Sequence, residues 1–194
     1  FDPRLLKING MRRGILYADV INTVSRRYAE EIMTEEFGEE LDGLLREKRG
    51  RLFGILNGID YEKNNPATDP LLEKNFSLQT LGMRAENKIA LQKRFGLEPE
   101  EKIFVLGIVS RLTPQKGFDL LEPIIGDFLK FSNAQFIILG EGDPEIMSFF
   151  SELEKSFPRQ VKAHLSFDAD LPHLIFGGAD VTLVPSHFEP SGLI

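Results

Sequence analysis

Along this chain, short and nearly continuous apolar runs alternate with longer stretches in which apolar residues return every three or four positions. Ile103 to Val109, Gln135 to Leu139, Val161 to Leu165 and Val181 to Val184 are compact and rich in β-branched residues, as expected of strands covered on both faces. Between them lie helical patterns. Ile146, Phe149, Phe150, Leu153 and Phe157 share a face over Glu145 to Phe157, with Asp143 placed to cap that helix and Pro144 to open it. Leu120, Leu121, Ile124, Ile125 and Phe128 fit a second helical face, but Pro123 lies among them. A proline there lacks a backbone donor and collides with the preceding turn, so the pattern predicts a kink, or a short turn before a helix starting at Pro123. Another helix is expected over Arg84 to Phe95. Strands alternating with helices predict an α/β class with a parallel, doubly wound sheet.

The first part of the chain is less regular. Val20 to Val24 reads as a short buried strand, and Ser25 as the cap of a helix reaching about Glu36, with Tyr28, Ile32 and Met33 on one face. Gly38 to Arg51 is charge-rich and reads as solvated; Leu52 to Leu56 is a further apolar run, ended by Asn57-Gly58. Tyr61 to Pro70 is polar, contains proline and has no period, which marks a connector. The division expected is one domain portion over 1–58, a connector over 59–80 and a second portion over 81–194.

Composition narrows the classes. The formal net charge is −7 and no basic stripe appears, so a nucleic-acid partner is not expected and an anionic ligand would need a few local cations. There is no cysteine, which excludes a disulfide scaffold and thiolate metal sites. No apolar run approaches about 18 residues, so no membrane span is expected. The first residue is Phe1 and the last, Ile194, follows directly on a strand and a glycine turn. The expectation is a segment of a longer protein.

Ligands of open parallel sheets bind beyond the carboxyl ends of the strands, so the loops after Val109, Leu139, Leu165 and Val184 are the places for chemistry. The first, Ser110-Arg111-Leu112-Thr113-Pro114-Gln115-Lys116-Gly117, sets two cations around a turn that opens a helix. Arginine offers a planar fork of donors, lysine a mobile point charge and a helix start free N–H groups, which is what a diphosphate requires. A solvated loop with two surface cations is the competing reading. Gly140-Glu141-Gly142-Asp143 lacks the third glycine of the dinucleotide fingerprint; close backbone approach to a ligand and a tight strand-to-helix turn explain Gly140 and Gly142 equally well. Phe167 is placed either to stack on a base or to fill the core. Glu189, between Pro185 and Pro190, is either an acceptor for sugar hydroxyls or a solvated carboxylate. His164, His173 and His187 lack metal-ligand spacing.

Taken together, the stretches YADVINTVSRRYAEEI, GRLFGILNGID, NPATD, AENKIALQKRFGL, VSRLTPQKGFDLL, GGADVTLVPS and FEPSGL resemble the glycogen synthase and starch synthase family of retaining glycosyltransferases, in its order and over nearly the whole chain. The resemblance implies a GT-B architecture of two Rossmann-like domains, of which residues 1–58 would be the end of the N-terminal, acceptor-side domain and 81–194 the first half of the nucleotide-sugar domain. It implies transfer of glucose from ADP-glucose, or UDP-glucose, to the non-reducing end of an α-1,4-glucan, with no metal and no other cofactor. It assigns Arg111, Lys116 and Glu189 to the catalytic site. Asn57, Gly140, Gly142, Phe167, Ser191 and Gly192 are assigned to the nucleotide-sugar site. Ser191, His187, Phe167 and Asn64 stand where many members of the family have Cys, Arg, Tyr and Trp. The implied location is the cytoplasm of a bacterium or the plastid of a plant or alga, and the segment alone is expected to be inactive. Other retaining GT-B transferases, of the sucrose synthase or mannosyltransferase kind, and a degenerate glucan-binding protein remain as alternatives.

Overall fold

The computed structural model describes residues 9–192. They divide into two compact units, one over 9–59 with 190–192 and the other over 60–189.

In the first unit, α1 (Gly10–Tyr17) leads into β1 (Ile21–Thr23), α2 (Arg26–Glu31), α3 (Asp42–Glu47) and β2 (Leu52–Gly54). The two strands pair in parallel, Ile21 with Leu52 and Thr23 with Gly54. Ser25 caps α2 as expected, its side chain accepting from the Tyr28 amide at 3.0 Å. The helix stops at Glu31 rather than about Glu36, and Glu39 and Glu40 then take left-handed conformations (φ 49° and 64°) that reverse the chain. The charge-rich stretch is not wholly solvated: Leu41, Leu44 and Leu45 are buried, and Leu41 and Leu45 join Ala29 and Leu52 in a small core. Three leucines at helical spacing outweigh the surrounding charges. β1 is less buried than its composition suggested, with Val20 beside it exposed. α1, which no expected element covered, is capped at its start by the Asn9 side chain.

The second unit holds a four-stranded parallel sheet in the order β5-β4-β3-β6, from β3 (Val105–Val109), β4 (Gln135–Leu139), β5 (Val161–His164) and β6 (Val181–Thr182). Alternate residues of the strands face opposite sides. Leu106, Ile108, Phe136, Ile138 and Val161 pack under α5 (Glu122–Phe131) and α6 (Pro144–Ser156), forming one core cluster with Ile125, Leu129, Phe150 and Leu153. Val105, Ile137 and Leu139 pack under α4 (Arg84–Arg94) and α7 (Leu171–Gly178), with Leu91, Leu171 and Ile175. Each such side chain, taken fully out of water, contributes about 1.5–3 kcal/mol. Asp143 caps α6 through the Glu145 amide at 2.9 Å and Pro144 opens it. The break expected at Pro123 is present: a 3-10 turn over Phe118–Leu120 precedes α5, and the proline lies in the first turn of that helix.

β6 is short, and polar groups secure its start. Asp180 Oδ2 accepts from the Val105 amide at 2.8 Å and from Lys88 Nζ at 2.7 Å. Part of the stretch expected as a connector is also tied down within this unit. Asp69 is buried, with its Oδ2 2.6 Å from His173 Nδ1 on α7. Among the described residues no helix is long and apolar enough to cross a membrane.

Candidate functional site

The sheet runs outward from β3 through β4 to β5, and then returns so that β6 lies on the other side of β3. The strand order therefore reverses between β3 and β6. At such a switch point the two following loops diverge and leave a crevice beyond the strand ends. The loops are Ser110 to Gly117 and Leu183 to Glu189.

The loop after β3 is more rigid than its sequence suggests. It does not open directly into α5: a 3-10 turn over Pro114–Lys116 is followed by Gly117 in the left-handed region (φ 70°) and then by the turn over Phe118–Leu120. Phe118 anchors these turns, 3% exposed and edge-on to Phe150 with ring centroids 5.3 Å apart. Gly117 is required by its neighbour as well as by its φ, since an added Cβ would lie 2.2 Å from the Pro185 carbonyl oxygen.

Lys116 is not the mobile surface cation that sequence implied. Only 8% exposed, it donates from Nζ to Glu189 Oε2 at 2.6 Å. Ser186 Oγ donates to the same oxygen at 2.9 Å. The structure thus brings Lys116 and Glu189, distant in sequence, into one hydrogen-bonded ion pair. Arg111 stands on the same loop, exposed, and its guanidinium makes no ion pair or hydrogen bond among the described residues. One cation is committed to a carboxylate and the other is available.

Further bonds join the β6 loop to the β3 loop and the turn that follows it, all unread in the sequence. The His187 amide donates to the Gln115 carbonyl at 3.0 Å, and Gln115 Nε2 donates to the Phe188 carbonyl at 2.8 Å. His187 Nε2 lies 2.7 and 3.0 Å from the two carboxylate oxygens of Asp119. Neither residue spacing nor composition marks these partners, because they meet only through the strand order.

On the other side of the β3 loop, the glycines after β4 approach backbone. A Cβ at Gly140 would lie 1.9 Å from the Ser110 carbonyl oxygen, and one at Gly142 would lie 2.3 Å from that of Leu112. The Leu112 amide donates to Glu141 at 2.8 Å and the Asp143 amide donates to Leu112 at 2.6 Å. After β5, Phe167 is not core: it is 78% exposed, its amide donating to Glu141 Oε2 at 3.2 Å. Beside it, Asp168 accepts from the Leu171 and Asp170 amides at 2.8 Å each, and these bonds hold its carboxyl below the ordinary carboxylate range. Asn57 and Ser191, both in the first unit, form a separate pair, Asn57 Nδ2 donating to Ser191 Oγ at 3.1 Å. Gly192 follows in the left-handed region, φ 67°.

Comparison with known proteins gives a consistent set of similarities. Residues 2–47 match the family model described as the starch synthase catalytic domain. The chain is 46% identical to a glycogen synthase from Thermotoga maritima over 96% of its own length and 38% of that relative. It is 47% identical to one from Gloeobacter violaceus over 95% of its length and 40% of the relative. Among solved structures, the catalytic domain of starch synthase IV from Arabidopsis thaliana, bound to ADP and acarbose, matches with a TM-score of 0.89 at 37% identity, over 96% of this chain and 38% of that one. A sucrose-phosphate synthase from Thermosynechococcus elongatus matches with a TM-score of 0.58 at 16% identity, over 100% of this chain and 42% of that one, which speaks to fold alone. The chain thus spans about 38% of the length of the first curated relatives it matches.

Proposed function

This chain belongs to the glycogen synthase and starch synthase family, with the α/β fold of GT-B glycosyltransferases, and from that premise we propose that the whole protein transfers glucose from ADP-glucose or UDP-glucose to the non-reducing end of an α-1,4-glucan, with retention. The observation that carries the reading is the meeting of a cation-bearing loop and a carboxylate-bearing loop at the switch point, with Lys116 Nζ 2.6 Å from Glu189.

Departure of a nucleoside diphosphate builds negative charge on its terminal phosphate. Fixed cations aimed at that charge stabilise the transition state, and they need no rearrangement as the reaction occurs. Arg111, which has no partner among the described residues, supplies a planar fork for the phosphate oxygens. Lys116 is held at the crevice by Glu189, and an arriving phosphate shares its charge with that carboxylate. Glu189 in turn accepts hydrogen bonds from the glucosyl hydroxyls. The exposed Phe167 ring is a platform for the base, and Gly140 and Gly142 shape the loop beside it; Asn57, Ser191 and Gly192 are further residues that this reading assigns to donor binding. On this reading 1–58 is acceptor-side and 81–194 donor-side, the site uses no resident metal or cofactor, and the protein works in the bacterial cytoplasm or in a plastid.

The test is glucose incorporation into glycogen by the whole protein, from ADP-glucose and from UDP-glucose in parallel. Lys116→Ala and Arg111→Ala should each lower turnover by roughly 10²–10³-fold. Undiminished turnover would remove the proposed roles, and transfer to fructose with none to glucan would replace the acceptor. Residues 1–194 alone should show no transfer.

A further inference from the structure

Glu189 lies well past the end of β6, whose ladder to β3 covers only Leu106 with Val181 and Gly107 with Thr182, extended by one bond from the Leu183 amide to Gly107 at 2.8 Å. No helix or strand follows among the described residues. The sheet therefore does not fix the carboxylate. What crosses to it is the neighbouring loop, through Gln115 to Phe188, Gln115 to the His187 amide, and Asp119 to the His187 ring. That loop is itself anchored by Phe118 against Phe150.

We infer that Gln115, Asp119 and His187 form a clasp that positions Glu189 at the crevice. They act through the β6 loop and do not touch the reacting groups. The inference deepens the proposed transfer function and rests on it for its kinetic consequence. A side chain held through such bonds keeps its place to within fractions of an ångström, and misplacement by about 1 Å can cost up to roughly 10²-fold in rate. The clasp is built differently from the ion pair it supports. The Lys116–Glu189 bond alone fixes one oxygen of the carboxylate to a lysine, whereas the clasp fixes the backbone from which Glu189 projects.

The experiment uses the whole protein with ADP-glucose, UDP-glucose and glycogen, and the variants Gln115→Ala, Asp119→Ala, His187→Ala and His187→Arg. Each alanine variant should lower kcat by about tenfold, with the donor KM changed by less than about threefold. His187→Arg restores a side-chain donor against Asp119 and should recover most of the turnover lost in His187→Ala. Asp119→Ala and His187→Ala together should lose little more than either alone, as partners in one contact do. Unchanged kcat in the alanine variants, or losses confined to KM, would overturn the clasp as a positioning device. Hydrogen exchange provides an arm independent of turnover. Amides of residues 186–189 should exchange faster in Asp119→Ala and Gln115→Ala while those of α5 keep their protection, and unchanged exchange in that loop overturns the clasp. A wild-type protein without glucosyl transfer would instead defeat the proposed function, leaving the exchange result to decide the clasp.

Discussion

The loop after β3 is gripped from two sides, and the grips are made of different material. Toward β4, backbone meets backbone: Gly140 and Gly142 lie against the Ser110 and Leu112 carbonyls, and amides bond across in both directions. Toward β6, side chains do most of the holding, through Lys116 with Glu189, Gln115 with Phe188 and Asp119 with His187. The first grip tolerates no Cβ and carries no charge. The second is a set of polar groups that can change partners when a ligand arrives. Glycines beside a candidate ligand site can thus be explained by the chain they touch, while the groups able to do chemistry lie on the opposite flank.

The comparison can be broken by removing what both grips share. Phe118→Ala should destabilise the chain by about 3–5 kcal/mol, the cost of truncating a buried aromatic, read as a fall in the urea midpoint. A loss under about 1 kcal/mol would mean that the β3 loop does not depend on that anchor. Gly140→Ala attacks the backbone grip alone and should cost about 3 kcal/mol, since neither backbone can retreat without disturbing the sheet ends. An unchanged urea midpoint would show that the grip yields. The smallest effect concerns a third, mixed arrangement, in which the Leu171 and Asp170 amides hold the Asp168 carboxylate. Those bonds, Leu171 first, favour the charged form and depress its folded pKa below that of an unfolded aspartate. Its stabilising contribution is therefore present above that unfolded value and lost as pH falls through the folded one. Asp168→Asn should flatten the dependence of the urea midpoint on pH below about 4, and parallel curves for the two proteins would contradict this.

The order of elements in the second unit was readable because its strands are continuous apolar runs and its helices keep a clean period. Asp143 and Pro123 declared a cap and a break by local chemistry alone. In the first unit the same rules failed over Gly38 to Arg51, where charges surround Leu41, Leu44 and Leu45 and mask a helix of six residues. The β3 loop was visible as two cations after a strand, and the motif resemblance singled out Glu189. Their contact was not visible, nor was the clasp, because each joins residues that only the strand order brings together. The purpose of Gly140 and Gly142 was equally hidden. A sequence shows that close approach is permitted, and which atoms approach depends on the neighbouring loop.

The strand order also sets when the crevice can come into being. β3, β4 and β5 are neighbours in both sequence and space, so a chain emerging from the ribosome can pair them as they appear. β6 must travel back to β3, and Lys116 waits for a partner 73 positions further on. The entropy of closing that span is spent before any contact across it is gained. A nascent chain that stops short of β6 therefore carries the cation-bearing loop without the carboxylate that pairs with Lys116, so completion of the crevice is among the last events in the folding of this unit.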